Sequence, residues 1–226
     1  KKKKNINSTN ANGTVAIGYS ALMVMTSGTA NTAIGYEAGK TINTGNNNTI
    51  LGYEAGHAMT TSTNNVAVGY RAGSSMTDNF NNVMIGRRAL GSADSGEGNN
   101  VVIGDDAGRY INNNNADNNV LIGNASGQGG TGELKQCVVI GSLAMDASGS
   151  NAQTGTVAIG YQSLSALTSG ASNTAVGYQS MKQVTTGNSN IAVGFQSLQN
   201  VTTSSHNVAI GNECLDSLQG GDFFFF

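Results

Sequence analysis

Apolar positions recur along the chain with a period of about 17 residues, each time as a short aliphatic run closed by a glycine. The glycines are Gly18, Gly35, Gly52, Gly69, Gly86, Gly104, Gly123, Gly141, Gly160, Gly177, Gly194 and Gly211, spaced 17, 17, 17, 17, 18, 19, 18, 19, 17, 17 and 17. Three residues before each glycine stands a β-branched residue, from Val15 and Thr32 through Ile191 and Val208. The residue directly before it is Ile or Val in every copy except one, which has Leu51. These two columns are two residues apart, so in an extended chain they share a face, and β-branched side chains fit a pleated strand. Between them alanine is common (Ala16, Ala33, Ala67, Ala158, Ala175, Ala192, Ala209), which lets that face approach another surface closely. A short strand ending at each glycine is predicted.

The rest of the repeat is equally regular. Three residues after the glycine every copy is small, from Ala21 and Ala38 to Ser197 and Cys214. Seven after it a large apolar residue is common (Met25, Ile42, Met59, Met76, Ile111, Leu167, Val184, Val201, Leu218), which predicts a second strand or extended segment folding back over the first. A turn rich in Thr, Ser, Gly and Asn follows. Asparagine stands four before the glycine except at Thr14, Cys137 and Thr156. It suits a corner with left-handed backbone, or an inward amide ladder between layers. A helix is excluded because β-branched residues recur two apart beside an invariant glycine.

One repeat cannot bury its aliphatic face alone, whereas stacked repeats form a continuous core. The predicted fold is all-β, a parallel β-solenoid of twelve coils of 17–19 residues. At a rise of ~4.8 Å per coil it makes a rod on the order of 55–60 Å long. A single repeat domain spans 14–218 between terminal segments 1–13 and 219–226, and its centre, about 87–156, carries the longer coils. So thin a rod, with columns of small residues, is expected to associate as a homotrimer.

Stacking also lines up side chains. Directly after the glycine stand Tyr19, Tyr36, Tyr53 and Tyr70, then Tyr161, Tyr178 and Phe195. They read as an aromatic stack along a strand edge and, as the sharper alternative, a stripe that binds glycan or another surface. Two after the glycine come Glu37, Glu54, Arg71, Arg88 and Asp106, a charge-compensated ladder in which Glu37 and Glu54 need partners.

Composition fits thin layers better than an ordinary core. There are 32 glycines, no proline and no tryptophan, and 11% of residues are charged. The net charge is −2. Without Lys1–Lys4 it falls to −6, seven positive residues against thirteen negative. That gives no electrostatic footprint for nucleic acid, and no apolar stretch approaches the ~20 residues of a membrane span. Lys1–Lys4 and Phe223–Phe226 are out of character with the repeat and read as tags, scars or placeholders. Without an initiator methionine or a signal peptide, the chain reads as a fragment or processed piece.

The segments Asn31-Thr32-Ala33-Ile34-Gly35-Tyr36-Glu37-Ala38-Gly39 and Asn207-Val208-Ala209-Ile210-Gly211 resemble the N-x-x-A-I-G-x-x-A-x-A head repeat of trimeric autotransporter adhesins. With tyrosine after the glycine, the repeat is also similar to those of phage tail fibres. The resemblance covers roughly residues 14–218. It implies a left-handed parallel β-roll, three chains to a fibre, used to reach and bind a surface. The coil here is longer than the family's, and the signature loosens at Gly123 and Gly141.

No catalytic constellation, cofactor motif or metal motif stands out. His57 and His206 sit in variable parts of the repeat and read as surface or turn residues. Asp105-Asp106 lacks the G-G-x-G-x-D pattern of calcium-binding β-rolls. Gly127–Gly132 lacks the lysine of a phosphate loop and reads as an enlarged corner. Cys137 and Cys214 lie four coils apart, about 19 Å, beyond disulfide reach within one chain, and read as buried free thiols.

The leading expectation is a non-enzymatic segment of a virion tail or neck fibre. Its expected partners are its own copies, other fibre proteins and a host-surface glycan or protein. The runner-up is the head of a bacterial surface adhesin, which a signal peptide and membrane anchor in the full-length gene would favour. A plain spacer is a third reading. An ice-binding array is a distant fourth, because the threonine column at Thr26, Thr60, Thr77, Thr168, Thr185 and Thr202 is interrupted. If the chain binds a surface itself, the tyrosine stripe and the enlarged central loops (Asn113, Asn114 and Gln128 within 112–119 and 127–133) are the candidates, since loops on rigid scaffolds carry recognition.

Overall fold

The computed structural model describes residues 12–216 except 131, 148 and 150. Lys1–Lys4, Thr131, Leu218, Gln219 and Phe223–Phe226 lie outside the described residues. Among the described residues the chain is a parallel β-solenoid of about eleven turns with no helix. Its strands are β1 (Val15–Ile17), β2 (Thr32–Ile34), β3 (Thr49–Leu51), β4 (Val66–Val68), β5 (Val83–Ile85), β6 (Val101–Ile103), β7 (Val120–Ile122), β8 (Leu134–Lys135), β9 (Val138–Ile140), β10 (Gln153–Thr154), β11 (Val157–Ile159), β12 (Thr174–Val176), β13 (Ile191–Val193) and β14 (Val208–Ile210). All but β8 and β10 stack in chain order into one twelve-stranded parallel sheet. Its register is in phase throughout: Val15 pairs with Thr32, Val83 with Val101, and Val157 with Thr174.

The glycine column is fixed by contact as well as by backbone. Each signature glycine has φ between 132° and 142°, a region closed to L side chains. A Cβ on Gly18 would also lie 2.1 Å from the carbonyl oxygen of Gly35, and one on Gly104 would lie 2.3 Å from that of Gly123.

The strands face the opposite way from the simplest reading of their aliphatics. The middle residue points into the coil, and Ala33, Ile50, Ala67, Met84, Val102, Leu121, Val139, Ala158, Ala175, Ala192 and Ala209 are fully buried. The β-branched residues on either side point outward and remain half-buried or exposed. Alanine prevails inside because the opposite wall of the same coil lies close. The small residues three after the glycine, such as Ala38, Ala55, Ala107 and Ser163, are buried there too. These small columns therefore close the coil on itself, and the aliphatic face is the one left outward.

No second strand follows the glycine. The chain turns tightly instead, with left-handed backbone at the second and fourth positions, as at Glu37 (φ 53°) and Gly39 (φ 55°), or Gln162 (φ 53°) and Leu164 (φ 52°). Among the described residues, those seven after the glycine are buried by this folded-back segment, except the half-buried Gly130. The corners are filled from either side. Where that column holds Met59, Ile111 or Leu167, the facing residue seven before the next glycine is Ser62, Ala116 or Gly170. Where it shrinks to Ala93 or Gly130, the facing residue grows to Glu97 or Leu134, both buried. The longer central coils thus do more than bulge, for β8 and β10 pair there in a second parallel sheet, Leu134 with Gln153.

The asparagines four before the glycine form an inward ladder. Asn48 donates its backbone N–H and its Nδ2 to Oδ1 of Asn31, each at 3.0 Å, and Nδ2 also reaches the carbonyl of Ser62 at 2.8 Å. The pattern runs from Asn31 to Asn119 and resumes from Asn173 to Asn207. Between the runs stand Cys137, whose N–H still reaches Oδ1 of Asn119 at 3.0 Å, and Thr156, whose buried hydroxyl has no partner. The left-handed corner falls one residue earlier, at Asn47, Asn64, Asn81 and their equivalents. Neither cysteine is in a disulfide; Cys137 is buried and Cys214 half-buried.

Candidate binding surface

The tyrosine column forms two continuous stacks. Ring centroids lie 5.2, 5.0 and 5.4 Å apart from Tyr19 through Tyr36 and Tyr53 to Tyr70, with planes within 13° of parallel. Tyr161, Tyr178 and Phe195 repeat the arrangement at 5.3 and 5.4 Å. The spacing is the coil rise, so the backbone sets it. Every ring is exposed. Each stack continues the outward Val/Ile face, giving an apolar strip interrupted at the centre by Arg87 and Asp105, which pair at 2.7 Å.

The charge ladder beside it is compensated within the chain. Glu37 is held by Lys40 at 3.0 Å and by Nε2 of His57 at 3.1 Å, so His57 bridges two coils. Glu54 is held by Arg71 at 2.7 Å. Burial acts to raise the Glu54 pKa, yet hydrogen bonds from Arg71 and Tyr53 keep it below the ordinary carboxylate value. Farther on, Gln179 donates to Gln162 at 2.8 Å and Gln196 to Gln179 at 3.0 Å, an uncharged version of the same ladder. The threonine column is also tied to the scaffold. The hydroxyls of Thr60, Thr77, Thr168 and Thr185 donate to next-coil carbonyls at 2.9, 2.7, 3.1 and 3.1 Å.

The central-loop candidates lie apart from the tyrosines. Asn114 is exposed, while Asn113 and Gln128 are half-buried. Oδ1 of Asn113 accepts from the Asn115 N–H at 3.0 Å, and the Gln128 carbonyl accepts from the Tyr110 N–H at 2.8 Å. The Asn113 contact stays within its loop, and the Gln128 carbonyl ties the second loop to the preceding coil. Sequence reasoning missed Arg109 and Tyr110, whose guanidinium sits 4.7 Å from the ring centroid. Reading the second and fifth positions after the glycine together would have found Arg109, since Asp106 and Arg109 from those columns meet at 3.5 Å; Tyr110 follows it in the sixth position.

It also missed Glu97, a fully buried carboxyl that fills the corner vacated by Ala93. Burial pushes its pKa up to about 7, against its own N–H, the Asn79 amide and the Asn113 N–H; Asp94 adds to the rise. Oε2 accepts from Asn79, and Oε1 has no partner. The folded chain thus holds this proton more tightly than the unfolded chain, whose value is near 4.5. Stability contributed below about pH 4.5 is lost as pH rises through about 7, by at most about 3 kcal/mol. Urea midpoints should fall between about pH 5 and pH 8, and Glu97→Gln should flatten that slope. Gln153 already occupies the same column, buried and donating to Thr168 O at 2.7 Å.

Among the described residues no group of three His, Cys, Asp or Glu is placed to hold a metal ion, and no helix is long and apolar enough to cross a membrane. Comparison with protein-family models, with curated proteins and with solved structures finds no match.

Proposed function

We propose that the chain is a structural segment of a homotrimeric virion fibre, of tail or neck type, that supports attachment to a host surface. The carrying observation is the outward face of the twelve-stranded sheet. It is a double column of Val, Ile, Leu and Thr with no charged residue, with Ile17 57%, Leu51 45% and Ile210 61% exposed. Eleven strand spacings of ~4.8 Å by a width of ~10 Å make it on the order of 500 Å² before the aromatic stacks are added. A strip of this size lies in the upper part of the ~300–600 Å² range of the largest apolar patch on a monomer, a patch that is often functional, and a second copy presents a strip of the same length and repeat. Three copies around a common axis is the arrangement the adhesin resemblance implies, together with the left-handed roll. The tyrosine after the glycine favours the tail-fibre branch.

The expected result by light scattering or sedimentation is a mass three times that of the 23.0 kDa chain. Ile103→Lys, on the outer face of β6, should dissociate that assembly while leaving the coil folded. A monomeric parent chain would sink the proposal.

A further inference from the structure

Between the fourth and sixth coils the wall beside the tyrosine stack opens into a cleft of about 160 Å³ lined by Arg71, Ser74, Arg88, Gly91, Ser92 and Arg109. It exists because one column loses its side chains for two coils. Five residues after the glycine the chain carries Lys40 and His57, then Ser74 and Gly91, then Arg109. Arg71 and Arg88, from the neighbouring column, line the gap. Both have left-handed backbone, φ 55° and 54°, and their N–H groups are tied to Tyr53 O and Tyr70 O of the preceding coils at 2.9 and 2.8 Å. The guanidiniums therefore stand on a fixed frame.

Their charge is only partly used. Arg71 pairs through Nε with Glu54 at 2.7 Å. Asp106 is shared by Arg88 at 2.8 Å, Arg87 at 3.3 Å and Arg109 at 3.5 Å, and Asp105 takes Arg87 at 2.7 Å. Four guanidiniums thus meet three carboxylates, leaving one positive charge in excess. Arginine donates in a planar fork that matches carboxylate and other oxyanions. Small-molecule sites usually measure ~300–1,000 Å³, so this volume fits one charged group rather than a whole ligand. Each end of the cleft carries an Arg–Tyr pair. Arg71 lies 5.4 Å from the centroid of Tyr70, and Arg109 lies 4.7 Å from that of Tyr110. Both rings are exposed, and an aromatic face carries the negative side of its quadrupole, which attracts the weakly positive C–H groups of a pyranose ring.

We infer that this cleft binds one anionic substituent, a carboxylate or a sulfate, of an acidic surface polysaccharide whose sugar ring lies against Tyr70 or Tyr110. The inference rests on the attachment role proposed above and places it in the chain itself rather than in a separate domain.

The test is titration calorimetry on the full chain in its native assembly with a sulfated heparin hexasaccharide, a hyaluronate hexasaccharide and a neutral maltohexaose. Binding of at least one acidic sugar, none of the neutral one, and weakening by added salt are expected. Arg71→Gln with Arg109→Gln should weaken that binding at least tenfold with mass and circular dichroism unchanged. At least one of Tyr70→Ala and Tyr110→Ala, each of which keeps every charge, should also weaken it, and unchanged binding in both overturns the inference. Retained binding in the double arginine variant, or equal binding of the neutral sugar, overturns the inference. So does equal binding of a polyaspartate peptide, or binding of inorganic sulfate as tight as that of the sulfated hexasaccharide. A trimer that binds no acidic sugar removes this site and leaves the fibre reading intact. A monomer that binds one does the reverse.

Discussion

Gly104→Ala is expected to lower the melting temperature by on the order of 10 °C. Two costs add at this position. An alanine at φ 142° is held where L residues do not go, which costs roughly 1–3 kcal/mol. Its Cβ would also lie 2.3 Å from the Gly123 carbonyl oxygen and 2.6 Å from the carbon. Relief requires the sixth and seventh coils to separate, and Gly104 itself donates to Ile85 O at 2.8 Å on the other side. The sum is about 4 kcal/mol or more, which for a chain of this size is roughly 10 °C. Gly211→Ala is the internal control. Its φ is 139°, yet the nearest atom to an added Cβ is Cβ of Cys214 at 3.8 Å. It should carry the backbone cost alone. Equal losses in the two variants, measured by thermal melts, would show that contact between coils plays no part in selecting glycine.

The second large effect belongs to the amide ladder. Asn82 donates to Oδ1 of Asn65 through N–H at 2.9 Å and through Nδ2 at 3.2 Å, and to Glu97 O at 3.0 Å. Its Oδ1 accepts from Asn100 N–H at 3.0 Å and Nδ2 at 3.1 Å. Asn82→Ala leaves these side-chain partners unsatisfied inside the coil, where each orphan costs ~1–3 kcal/mol. Partial relaxation brings the expected total to about 3–5 kcal/mol. Asn207→Ala should cost much less, because among the described residues Oδ1 of Asn207 has no partner to lose. Urea denaturation of the two variants compares them directly. Similar small losses would mean that the ladder follows the stack rather than holding it.

Much of this architecture is legible in the residues. The glycine period locates all twelve strands of the main sheet, because only glycine fits where each coil's backbone meets the next. The asparagine column offers the ladder as one of two readings, since an amide both donates and accepts along the stack. Which way the strands face is not legible. In three residues, a period of two separates the faces without saying which is inside. The aliphatic pair Val15 and Ile17 outweighs Ala16 on any hydrophobicity count, yet the narrow coil admits only the alanine. The turn after the glycine is hidden for a related reason. Left-handed backbone at Glu37, Arg71 or Gln162 has no sequence signal, because non-glycine residues adopt it uncommonly. The tyrosine stacks could be read directly, as one residue type in one column. The arginine cleft could not, because Arg71 and Arg88 belong to one column and Arg109 to another, and the two columns come together only when the chain turns.

The in-phase register of the long sheet has a consequence for how this chain measures distance. The sheet pairs Val83 with Val101 and Val101 with Val120 as regularly as it pairs residues 17 apart. One or two added residues per coil are absorbed sideways, in corners that accept filling from either wall. Contour length is therefore counted in glycines, not in residues. Such a rod works as a ruler whose gradations are insensitive to what is inserted between them, so its flank can diversify while its reach stays constant.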